Sequence, residues 1–201
     1  MPRIDASAKR ETHRRLLEAA ASHFARRGLE RANLDEVVRA AGVAKGTLYN
    51  YFSSKEELFF AVIEEGARRA AERYAQVQDQ GTTRDRLLAL AEADVSVLRE
   101  EEQFMRVVVR EAMSFQPATY PRIVEHLSPY LTRVERVIAD GVENEELRSD
   151  VPTVQLALLF VGTLTMLYVQ HWGSDGAWPS LDEVPALAVT TFVDGARRRT
   201  A

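Results

Sequence analysis

The chain has 201 residues, 46% of them hydrophobic, which supplies a real core and suits two modest helical domains rather than two large ones. Cysteine is absent, which excludes a disulfide framework, thiolate catalysis and cysteine-bound zinc. The net charge of −4 hides an asymmetry: residues 1–55 hold 11 Lys and Arg against 6 Asp and Glu, net +5, and the remainder 15 against 24, net −9, so polyanion binding is expected at one end.

Residues 1–9 lack helical periodicity and carry Arg3 and Lys9, so they are expected to form a mobile arm; with no apolar run before residue 15, no signal peptide is expected. From about residue 10 to 27, Leu16, Leu17, Ala20 and Phe24 recur at helical spacing and Gly28 closes the pattern. This predicts the first helix of a three-helix head. His13 and His23 do not share a face of that helix, so they are expected to be surface or boundary residues rather than a metal pair.

Residues 33–52, NLDEVVRAAGVAKGTLYNYF, place two short helical patterns either side of Gly42, Val43 and Ala44, which is a helix-turn-helix signal. Asn33 can cap the first of these helices, with Glu36 completing a capping box. Leu34, Val37, Val38 and Ala41 give an apolar face, and Gly42 stands where a helix end needs positive φ. In the second helix Leu48 and Phe52 are four apart and face inward with Val43. Lys45, Gly46, Thr47, Tyr49, Asn50 and Tyr51 remain outside, without a carboxylate. A helix entering a DNA groove needs such donors, small residues near its start and no repelling charge.

The run from Gly28 to Leu58, centred on AAGVAKGTLYNYFSSKEEL, resembles the DNA-binding domain of the tetracycline-repressor (TetR) family of bacterial transcription regulators. Residues 40–43, 45–49, Tyr51, Phe52 and 54–56 fall where that family's pattern has them. Ala44 stands where the family usually has a capping Ser or Thr, a loss of about 1 kcal/mol locally. Asn33 replaces a Thr and keeps the capping function.

Ser53 with Glu56, or Ser54 with Glu57, forms a further capping box. It opens a helix through Leu58, Phe59, Val62, Ile63 and Gly66 to about residue 78, which the resemblance implies is the lever between ligand and DNA. After a polar loop at 78–83, Leu87, Ala91, Val95 and Leu98 make one apolar helix face. Phe104, Val107, Val108, Ala112 and Phe115 make the next. Pro117 and Pro121 are expected to break the chain before a third helix, in which Ile123, Leu127, Tyr130, Leu131, Val134, Ile138, Gly141 and Val142 hold helical spacing.

Asp94 and Glu111 interrupt these stripes. A buried carboxylate is costly unless paired, so each is expected either to meet Arg106, Arg110 or Arg133 or sit at the wet edge of its stripe, or else to line a cavity for a cationic or hydrogen-bond-donating effector. The structural role, pairing or wet edge, is favoured over the cavity. Met105, Met113, Phe115, His126, Tyr130, Met166, Tyr168 and Trp172 are the other candidate effector contacts, since pockets are mostly apolar with few polar groups.

Asp150, Val151 and Pro152 open a helix that is apolar almost all round over residues 156–169. That run is too short for a membrane span and too apolar for a lone protomer to cover. A capping box at Ser180 and Glu183 starts a last helix through Leu187 and Phe192, ending at Arg197–Arg199. The resemblance implies that the last two helices pair with their mates in a homodimer, with Leu156, Leu159, Phe160, Leu167, Leu187 and Phe192 as interface candidates.

The resulting expectation is an all-α chain with a DNA-binding head at residues 1–55 (10–55 ordered) and an effector-binding and dimerisation domain at 56–201, of which 56–78 is the connecting helix. Lys45, Thr47 and Asn50, with Gly46 allowing close approach, are expected to read the major groove; Asn33, Tyr49, Tyr51 and Lys55 are expected to hold phosphates. The partners expected are double-stranded DNA with a palindromic operator, a small-molecule effector and a second copy of the chain. A cytoplasmic repressor without membrane, cofactor or metal follows, with an activator or a nucleoid-associated module as the alternatives. The 4 histidines show no ligand spacing and no Gly-rich phosphate loop exists, so no enzyme is expected.

Overall fold

The computed structural model describes residues 6–114, 116–117 and 119–196. Among them are nine helices and no strand: α1 (Ala6–Arg31), α2 (Leu34–Ala41), α3 (Lys45–Tyr49), α4 (Lys55–Ala75), α5 (Thr83–Glu100), α6 (Glu102–Ala112), α7 (Tyr120–Glu143), α8 (Thr153–Gly173) and α9 (Val184–Ala196). The all-α class is as expected. Helix α1 already begins at Ala6, four residues before its predicted start, so only residues 1–5 of the expected arm lie outside the described residues. Phe115 and the C-terminal arginines also lie outside them.

The chain packs as two compact units, one within 1–69 and 101–126, the other within 70–100 and 127–201. The first unit is built on the head. Leu16, Phe24, Val37, Leu48, Leu58 and Phe59 are fully enclosed, and Phe24 meets Phe59 edge-on with ring centroids 5.1 Å apart. Helix α6 belongs to this unit and packs along α1, although the sequence pattern puts it in the larger domain beyond residue 55. An amphipathic pattern tells that Phe104, Val107 and Val108 are covered, but not by which helix. Gly66 admits the close approach of α6: a Cβ there would stand 3.1 Å from the Phe104 Cβ.

In the second unit α9 packs on α5 and α8, and Phe160 of α8 meets Phe192 of α9 at 5.2 Å. Leu87, Leu90, Ala91 and Leu98 of α5 and Val134 and Ile138 of α7 fill the core. Pro121 lies in the first turn of α7, where its missing N–H is harmless, and does not break the chain as expected; Pro129 lies inside the same helix and forfeits one backbone bond.

Helix α8 is longer than its apolar run predicted: by length and composition it is the one helix among the described residues that could cross a membrane, although little of it is buried in the protomer. Leu156 and Phe160 face the core with Phe192, so these three proposed interface residues are enclosed within the protomer. The opposite side carries Val154, Leu158, Leu159 and Met166 in the open, Leu159 being 60% exposed; Leu167 is half-buried and Leu187 of α9 is exposed at 37%. Because α8 is apolar all round, its sequence alone did not show which side turns inward.

Candidate nucleic-acid interface and effector residues

The helix-turn-helix is held largely by groups that lie off its outer face. Asn33 caps α2 by accepting the Asp35 N–H at 2.8 Å. Glu36 does not complete the box; its carboxylate turns to α1, 3.5 Å from His23 Nδ1 and 3.4 Å from Arg27. Burial holds the His23 pKa below its usual value, and at 9% exposure this histidine is buried rather than the surface or boundary residue expected. At the far end of α2, Gly42 adopts φ 65 with its N–H on the last carbonyls of the helix. Arg15 of α1 donates to the Ala41 carbonyl and, at 3.2 Å, to that of Gly42. A side chain at Gly42 would strike that guanidinium at 2.5 Å.

Helix α3 starts from Ala44 without a side-chain cap. Leu48 and Phe52 are buried beneath it, whereas Lys45, Gly46, Tyr49 and Asn50 are exposed and Thr47 is half-buried. A Cβ on Gly46 would meet nothing within 4 Å. No packing demand among the described residues accounts for that glycine.

The flanking candidates are engaged within the protein. The Tyr51 hydroxyl donates to the Lys9 carbonyl at 3.2 Å, and its ring lies 5.9 Å from that of His13, which stacks on Phe52 at 5.4 Å. Lys55 Nζ donates to the Glu30 carbonyl at 3.0 Å, tying α4 to the end of α1. The Ser54 hydroxyl caps α4 by accepting the Glu57 N–H at 3.1 Å, and the Glu57 carboxylate reaches back to the Ser53 N–H at 2.6 Å. Sequence reasoning missed one contact on the face itself. Asp35 of α2 pairs with Lys45 at 2.8 Å, which raises the Lys45 pKa. Helix α3 carries no carboxylate, but its neighbour lends one.

The two buried acids do not have the expected arginine partners. Asp94, 6% exposed, accepts the hydroxyls of Tyr74 and, at 2.6 Å, Tyr168. Tyr130 stacks on Tyr74 with centroids 4.4 Å apart. Arg133 instead caps the end of α4, donating to the Tyr74 carbonyl at 2.5 Å and to that of Val77. Glu111 accepts Thr119 Oγ1 at 2.5 Å and Ser114 Oγ at 3.2 Å on one oxygen. Of the effector candidates, Met105, Glu111 and His126 belong to the first unit and Asp94, Tyr130, Met166 and Trp172 to the second. Met166 stands on the exposed side of α8 at 48%, and Tyr168 lies 6.3 Å from Trp172.

Burial raises the Asp94 pKa above the usual carboxylate value, against the opposing pull of the two tyrosine hydroxyls. A raised folded value means that the folded chain holds the proton longer than the unfolded one. The stabilisation is therefore complete below the unfolded value and is lost as pH rises through the folded value. Asp94→Asn removes that slope. Urea unfolding from about pH 4 to about pH 8 should show the variant gaining on the wild type as pH rises; a pH-independent difference would refute the assignment.

Comparison with known proteins agrees with this geometry. The model of the bacterial regulatory proteins of the tetR family matches residues 16–62, and that of the tetracyclin repressor-like C-terminal domain matches residues 80–195. The transcriptional repressor AcnR of Corynebacterium efficiens is 27% identical over 180 residues, 88% of this chain and 89% of that protein. The structure of the regulator FadR from Bacillus subtilis in complex with stearoyl-CoA superposes with a TM-score of 0.80 at 19% identity, covering 92% of this chain and 100% of that one. That of AibR in complex with isovaleryl coenzyme A and operator DNA gives 0.75 at 22% identity, covering 90% and 97%. With a helix-turn-helix braced from behind, and with family models that together span the head and most of the larger helical region, the chain belongs to the TetR family, DNA-binding transcription regulators and not enzymes.

Proposed function

We propose that this protein is a cytoplasmic repressor that binds a palindromic operator as a homodimer and is released by an acyl-CoA. The observation that carries the reading is the outer face of α3, where Lys45, Gly46, Tyr49 and Asn50 stand exposed over a buried Leu48. Lys45, Thr47 and Asn50 are the proposed base readers, and Gly46 lets the helix lie close. Tyr49 is the proposed phosphate contact, with Asn33, Tyr51 and Lys55 fixing the backbone around it and reaching phosphates at the edges.

One such helix touches few base pairs. Two related by a two-fold axis read a palindrome with half-sites about one helical turn, ~34 Å, apart. The exposed apolar side of α8 supports the dimer, because a monomer gains nothing by leaving Leu158 and Leu159 in water. The repressor role is supported by the likeness to AcnR, and the effector class by the acyl-CoA ligands of two structural neighbours. Effector binding favours a head arrangement that misfits the operator, with a coupling of about 1–3 kcal/mol.

The test is selection of bound sequences from random DNA at fixed salt. A single enriched palindrome is expected. A folded, dimeric protein that enriches no sequence would overturn the reading.

A further inference from the structure

Within the first unit lies a cavity of about 760 Å³ where the end of α1, the start of α4, the end of α6 and the start of α7 converge, a size typical of small-molecule sites. Four arginines are among its lining residues, Arg27, Arg31, Arg110 and Arg122. None is fully satisfied by its protein contacts. Arg110 Nη1 reaches the carbonyls of Ala25 and Arg26 at 3.3 Å each, and Arg27 stands 3.4 Å from Glu36. Arg122 lies 3.5 Å above the Phe60 ring and 3.5 Å from Glu64. Arg31 is exposed and makes no ion pair among the described residues. A guanidinium offers five donors, and those in charge-assisted bonds to phosphate sit at about 2.7–2.9 Å. Long single contacts leave most of that capacity unused. The backbone makes room for the central group: Gly28 has φ 71, and a Cβ there would stand 3.2 Å from Arg110 Nε.

The lining is not purely cationic. Glu30, Glu56 and Glu111 also border the cavity. Glu111 takes both of its hydroxyl donors on Oε1, so Oε2 remains an acceptor for a ligand. Three carboxylates disfavour a bare anion. Four arginines with acceptors between them suit a molecule that carries several phosphates together with hydroxyl or amino donors.

We infer that this cavity binds the phosphorylated nucleotide end of the effector, with Arg31, Arg110 and Arg122 on its phosphates and Glu111 on a ribose hydroxyl or the base amine. The inference rests on the acyl-CoA reading above, and it assigns the recognition of coenzyme A to the unit that contains the DNA-binding head.

The experiment titrates the full-length protein by calorimetry with stearoyl-CoA and isovaleryl-CoA. Beside them it uses the matching acyl-pantetheines, which keep the thioester and chain but lack every phosphate. Wild type should prefer a coenzyme A ester to its pantetheine counterpart by about a hundredfold, and Arg31→Gln with Arg122→Gln should weaken the ester by about tenfold or more while leaving the pantetheine unchanged. Unaltered circular dichroism and operator affinity of the variant show that it is folded. Equal affinity for the two kinds of ligand, or an unaffected variant, would overturn the site while the acyl-CoA reading stands. Failure of the wild type to bind any of the thioesters would overturn both.

Discussion

Replacing Lys45 and Tyr49 together by alanine is expected to abolish sequence-specific DNA binding while leaving helicity and the dimer intact. Both side chains stand on the open side of α3, Tyr49 at 49% exposure, above a Leu48 that is fully enclosed. Neither contributes to the core, so the fold has little reason to respond. The ion pair from Lys45 to Asp35 is exposed on both sides and is weak support for stability. In a two-fold complex each deletion is felt twice, and a fall in operator affinity of about a thousandfold is expected if each lost contact accounts for roughly tenfold or less. Losing Lys45 should also flatten the salt dependence, because fewer counterions are released. Fluorescence anisotropy with operator DNA at two salt concentrations, beside sedimentation and circular dichroism, makes the measurement. Retained affinity would sink the assignment of this face.

The second large effect is expected from Leu159→Glu. Leu159 is 60% exposed in the protomer and Leu158 beside it 53%, so a charge there costs the isolated subunit almost nothing. In a symmetric dimer the same position occurs twice. Burial of each leucine is worth about 1.5–3 kcal/mol, and an unpaired carboxylate in its place adds a desolvation cost, together about 5 kcal/mol or more against association. Gly162 on the same helix fits a closely apposed partner, since a Cβ there would meet nothing within 4 Å and a helical glycine is otherwise a cost of ~1 kcal/mol. The variant should sediment as a folded monomer and lose operator binding. If it remains a dimer, α8 does not form the interface.

Local chemistry was the legible part of this sequence. The Asn33 cap, the left-handed Gly42, the Ser54 cap and the Ser180–Glu183 box all depend on residues within a turn of one another, and hydrogen-bond chemistry at that range leaves few alternatives. What escaped was the choice among distant partners. Ion pairing is the common remedy for a buried acid and makes an arginine one expected partner of Asp94, yet hydroxyls from two other helices serve it. The burial of Leu156 and Phe160 was equally hidden, because the periodicity of α8 has no polar side to orient it. Asp35 lies ten positions before Lys45 in sequence, and only the corner between α2 and α3 brings their charges together.

That pairing bears on how the protein searches a chromosome. Asp35 offers the Lys45 ammonium a carboxylate at 2.8 Å, a stand-in that DNA must displace before Lys45 can take up its proposed place in the groove. The competition is the same at any sequence, so it lowers the affinity for random DNA as well as for the operator. Non-specific encounters outnumber correct ones by many orders of magnitude, and their lifetime governs how fast the correct one is found. In the proposed dimer, a lysine already satisfied by its own subunit would leave wrong sites sooner, so the small loss in grip would become a gain in the number of sites sampled per second.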